Sequence, residues 1–75
     1  MTLQDMEVGC TYTIGDSYGY DRVLVIKKAE KEDYKKYIGS FPENAIGVVV
    51  QFINEENRVD LVFETPECSS VGVYP

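Results

Sequence analysis

The chain is 75 residues long, with thirteen acids, seven bases, no histidine and a net charge of −6. At that length it buries roughly 60% of the surface its unfolded chain exposes, has room for a single core and can scarcely spare the volume for an enclosed substrate cavity, so a surface site is expected. Apolar residues make up 44% of the sequence and nine residues are aromatic, a composition that predicts a fixed globular fold and not a disordered tail.

Residues Met1 to Gly9 carry neither a basic start nor an apolar run. The longest aliphatic stretch is only Val23 to Ile26, so neither a signal peptide nor a membrane span is expected. Along strand one, Val8, Cys10, Tyr12 and Ile14 alternate with Gly9, Thr11 and Thr13. This period of two places the cysteine and the tyrosine inward and the threonines outward, with Gly15-Asp16 as the stop. The segment from Gly15 to Asp21 then reads as a loop exposing a Tyr-Gly-Tyr sequence, Tyr18 and Tyr20. Strand two follows at Asp21 to Lys28, its Val23-Leu24-Val25-Ile26 run suited to burial on both faces or to curling across the core.

Between Glu30 and Ile38 the pattern changes. Tyr34 with Ile38 and Glu32 with Lys36 are helical i,i+4 pairs, and Gly39 followed by Pro42 is a stop. The spacing predicts a short helix, although no Ser, Thr or Asn caps its start and an irregular long loop over residues 29–44 is the alternative. From Ala45 to Glu64 a hairpin is expected, with Asn54-Glu55-Glu56-Asn57 as its turn. Setting Ile53 opposite Arg58 pairs Phe52 with Val59, Val50 with Leu61, and Val48 with Phe63, so that every inward residue meets an inward one and a slip by one residue would not. Residues 67–70 form a loop after Thr65-Pro66, and Val71 to Tyr74 adds a last strand. The fold class predicted is mostly β: a small, partly open antiparallel barrel of four or five strands, one domain over residues 1–75.

Gly47-Val48-Val49-Val50, Val59-Asp60-Leu61-Val62-Phe63 and Gly72-Val73-Tyr74-Pro75, preceded by Val8-Gly9 and Tyr12-Thr13-Ile14, resemble the strands of SH3-like small barrels, with a longer insert at residues 29–44. The resemblance covers about 45 residues and implies a fold, while function does not travel with it. It also implies a place for binding, because such barrels often take peptides beside the loop that joins their first two strands.

The chemistry-bearing residues are sparse. Without histidine the chain lacks the commonest general base, the Ser-His and Cys-His pairs and the usual transition-metal ligand. Cys10 and Cys68 have no neighbouring base and cannot complete a zinc site. Two widely spaced thiols suit a reducing, cytoplasmic setting, with a single Cys10–Cys68 bridge as the alternative. A calcium loop from Asp16 through Ser17 and Asp21 fails because its twelfth position is Lys27. No catalytic residue, cofactor or metal is expected.

Two binding readings remain. In the first, a non-enzymatic adaptor or inhibitor docks on a larger protein through Tyr18 and Tyr20 with the neighbouring acids Asp16 and Asp21. In the second, an acidic nucleic-acid mimic of the kind some viral inhibitors use blocks a basic groove with Glu43, Glu55, Glu56, Asp60, Glu64 and Glu67, with Asp60 and Glu64 outward along one strand. Residues 22–36 hold six of the seven bases, and Lys27, Lys28, Lys31, Lys35 and Lys36 would have to carry any direct RNA contact, against the overall acidity.

Overall fold

A computed structural model describes residues 1–16, 18–69 and 71–75, with the Asp16 side chain also outside the described residues. Five antiparallel strands form one open sheet: β1 (Thr11–Asp16), β2 (Gly19–Lys28), β3 (Ile46–Phe52), β4 (Val59–Glu64) and β5 (Gly72–Tyr74), in the order β4-β3-β2-β1-β5. A 3₁₀ turn at Leu3–Asp5 and one helix, α1 (Lys31–Ile38), complete it. No helix among the described residues is long and apolar enough to cross a membrane.

The alternation in β1 and β2 separates two faces. Tyr12, Ile14, Val23 and Val25 turn inward and meet Val48, Val50, Phe52 and Val73, and Leu3 and Met6 of the first turn close this core. The buried Tyr12 hydroxyl is satisfied by the Glu7 N–H at 2.9 Å. Thr11 and Thr13 take the outer face, as their residue types predict. Strand one is shorter than its periodicity suggests, however. Gly9 adopts a left-handed φ of 88° and the Cys10 N–H turns back to the Glu7 carbonyl, so Val8 and Cys10 precede the strand in a turn and are exposed. Cys10 is therefore not inward. It and Cys68 are both exposed free thiols.

The segment expected as helix or loop is a helix. Its start has no Ser or Thr cap, and Asp33 supplies the function from within: the Glu30 N–H donates to Asp33 Oδ2 at 2.8 Å, and Lys27 Nζ lies 3.0 Å from the same oxygen. These donors hold the Asp33 carboxyl below its ordinary range, the Glu30 backbone contact first. Gly39, at φ 81°, ends the helix in the left-handed region. The helix buries Tyr34, whose ring meets Phe41 and Phe63 edge-on at 5.1 and 5.8 Å, whereas its expected partner Ile38 stays largely exposed.

The β3–β4 hairpin exists in a register one residue away from the expected one. Phe52 and not Ile53 faces Arg58; Gln51 pairs with Val59, Val50 with Asp60, Val49 with Leu61 and Val48 with Val62. Two causes act together. Glu56 and Asn57 take left-handed φ values of 43° and 64°, which lets residues 53–57 turn as a five-residue loop. The helix also buries the second face, so Val49, Leu61 and Phe63 pack beneath Tyr34 while Val62 joins the main core. The slip sets Val50 opposite Asp60 and Gln51 opposite Val59, and burial of Val49, Leu61 and Phe63 on the second face offsets it. In β2 the ladder to β3 steps from Val25–Val50 to Lys27–Val49, leaving Ile26 as a bulge.

Candidate functional site

Tyr18 and Tyr20 do not sit on a long loop. β1 runs to Asp16 and β2 starts at its partner Gly19, so only positions 17 and 18 lie between the strands, with Ser17 outside the described residues. Tyr20 is thus a strand residue, paired with Gly15, which is in turn paired with Gly72 of β5. Pairs in an antiparallel ladder share a face, and this face is the outer one. A Cβ on Gly15 would overlap the Tyr20 ring, and one on Gly72 would come within 3.0 Å of the Tyr74 hydroxyl, so both rings lie down on a floor made of two glycines. Their centroids are 6.2 Å apart at 58°. Beside them the Arg22 guanidinium donates to Thr11 Oγ1 at 2.9 Å and Thr13 Oγ1 at 3.1 Å, which fixes a planar cation on the same face.

These rings lie against the sheet without being covered. Tyr20 is 71% exposed, Tyr74 50% and Tyr18, at the hairpin tip, 96%. Sequence reasoning missed Tyr74, although Gly72-x-Tyr74 alternating opposite Gly15 carried the signal once β5 is known to flank β1.

The other expected site residues do not join this surface. Asp21 pairs with Ile14 and faces the opposite side of the sheet; Asp60 and Glu64 lie on β4, at the far edge; Glu67 occupies the Thr65–Cys68 turn, and the Asp16 side chain lies outside the described residues. Ser70, expected in that same loop, also falls outside them. Asp60 and Glu64 share a strand face with Val62 as expected, but it is the inner face and not an outward row. Arg58 Nη1 binds Asp60 at 3.0 Å and Arg58 Nε binds Glu55 at 2.6 Å, while Glu64 accepts from Ser69 Oγ at 3.1 Å. Part of the acidic series is thereby neutralised within the chain.

The bases are also dispersed. Lys27 pairs with Asp33, Lys28 donates to the Gln4 carbonyl at 2.9 Å, and Lys31 and Lys36 sit over the Phe41 and Tyr37 rings. From Gly19 onward, the stretch weighed as a calcium loop is strand. Among the described residues no three carboxylates or thiols converge. Comparison with protein-family models, curated proteins and solved structures finds no match for this chain.

Proposed function

We propose that the chain is a non-enzymatic protein-binding module, an adaptor or inhibitor, which docks through the outer-face tyrosines at the β1–β2 end. The SH3-like reading is part of this proposal: its quoted motifs fall on β3, β4 and β5, and Tyr12-Thr13-Ile14 on β1, of one open five-stranded sheet. One observation carries the functional part. Tyr20 and Tyr74 lie against Gly15 and Gly72 yet remain in solvent, so their placement serves no core, and a partner that covers them meets amphipathic surface already laid out on the sheet.

The test is recovery of a partner from a lysate by the native chain and by the Tyr18→Ala/Tyr20→Ala double variant. Loss of a central aromatic anchor weakens such interfaces by about 2 kcal/mol, roughly thirtyfold, so the native chain retains a partner that the variant loses. Equal recovery by both removes the tyrosines from the account. Salt separates this reading from the nucleic-acid mimic. Docking by apolar burial changes little between about 0.05 and 0.5 M salt, whereas a mimic loses affinity steeply. The neutralisation of Asp60 and Glu55 by Arg58 favours the first outcome.

A further inference from the structure

Asp60, Leu61, Val62 and Phe63 are consecutive, so their side chains alternate between the two faces of β4, yet all four line one groove of about 330 Å³. A groove that touches both faces of a strand runs along its edge. Opposite stand Ile14 and Gly15 of β1, Gly19 of the hairpin and Val71 before β5. The groove is therefore the seam where the curled sheet fails to close.

The strand edge facing this seam offers backbone hydrogen bonds. Phe52 N–H donates to the Arg58 carbonyl at 2.8 Å, and antiparallel pairs alternate, so Asp60, Val62 and Glu64 turn their backbone groups to β3 while Val59, Leu61 and Phe63 turn theirs to the open edge. The Leu61 N–H confirms this direction: it donates at 2.7 Å to Oδ1 of the preceding Asp60, a local side-chain cover on an edge donor. Ile14, Phe52, Val62 and Val71 supply an apolar floor beneath polar walls. Its charges are Arg58 and Asp60, which pair with each other, and Asp21, whose carboxylate has no hydrogen-bond or ion-pair partner among the described residues and leaves the groove one net negative charge.

We infer that this seam binds an extended segment of another protein, one that alternates basic and apolar residues and adds to β4 as a sixth strand. Backbone groups of Leu61 and Phe63 supply the pairing, the apolar floor takes the segment's inward side chains, and a lysine or arginine reaches Asp21. The incoming carbonyl displaces Asp60 Oδ1 from the Leu61 N–H, and Asp60 stays on Arg58. A second copy of this chain fits poorly: it brings a net charge of −6 and presents an acidic edge to an acidic seam. None of the tyrosines lines this groove.

The probe is a blocked hexapeptide of alternating lysine and valine, with the glutamate–valine peptide as control, followed by amide hydrogen exchange at each residue. Addition to the edge slows exchange at Leu61 and Phe63 by about tenfold or more. Asp21→Asn, which leaves the fold intact, weakens the lysine peptide by about fivefold. The inference is overturned if the lysine peptide fails to bind, if it binds with those two amides unprotected, if the glutamate peptide binds equally well, or if Asp21→Asn has no effect. Protection of the same amides that rises with protein concentration and no peptide would assign the edge to a second copy instead.

Discussion

The outer face of the sheet carries the same device twice, with opposite outcomes. At one end Gly47 leaves space for the Tyr34 hydroxyl, and α1 presses that tyrosine down until it is 2% exposed among Val49, Leu61 and Phe63. At the other end Gly15 leaves space for the Tyr20 ring, and nothing in the described chain covers it. An aromatic ring lying on a glycine is a stability element where an amphipathic helix seals it. Where no element does, the geometry stays and the ring remains in solvent.

The largest expected effect tests the sealed end. Tyr34→Ala removes a buried aromatic and destabilises the fold by about 3–5 kcal/mol in denaturant unfolding, while Tyr20→Ala stays within about 0.5 kcal/mol. Similar losses at the two positions would break the comparison, because Tyr20 would then belong to the core.

The glycines sharpen it. A Cβ at Gly47 would stand 2.7 Å from the Val62 carbonyl oxygen and 2.8 Å from Phe63 Cβ, atoms fixed by the ladder. Gly47→Ala therefore lowers stability by about 1–3 kcal/mol. At Gly15 the obstacle is the exposed Tyr20 ring, which swings away, so Gly15→Ala has a smaller effect on thermal unfolding. In the double variant with Tyr20→Ala, that effect disappears.

The smallest effect concerns what fastens the helix over the sealed end. The Asp33 carboxyl lies below its ordinary value of 3.8 because of the Glu30 N–H and then Lys27, so it contributes stability above that pH and loses it progressively as pH falls through the depressed native value. Acid titration followed by circular dichroism should show the loss of α1 beginning below 3.8, and Asp33→Asn should remove this step while lowering stability slightly at neutral pH. If the variant retains the step, another carboxylate fastens the helix.

The contrast between the two ends also shows what could be read from the sequence. All five strands were legible, because alternation in Tyr12-Thr13-Ile14, Ile46 to Phe52 and Val59 to Phe63 is a local signal. The hairpin register was not. Pairing Phe52 with Val59 is the best solution for a sheet with one buried face, and the docked helix, which makes Leu61 and Phe63 useful on the second face, selects the neighbouring register together with the left-handed turn at Glu56 and Asn57. Val8 and Cys10 continued the alternation in sequence while Gly9 turned the backbone out of it. Tyr18 and Tyr20 were legible as exposed aromatics, but Tyr74 depends on β5 lying beside β1, a pairing between residues about sixty positions apart that no local pattern encodes.

The bulge at Ile26 has a consequence for how the gene can change. In an unbroken strand Lys27 would follow Val23 and Val25 onto the core face. The extra residue sends it outward to Asp33 and leaves Lys28 beside Gln4. Loss of the Ile26 codon would restore a regular ladder with Lys27 still opposite Val49 and Lys28 still opposite Val48, and replacing Ile26 by another residue changes only a partly exposed side chain. At this position β2 can lose its bulging residue as well as replace it without changing the face that any other side chain takes, so the bulge is where the strand's length is free to vary.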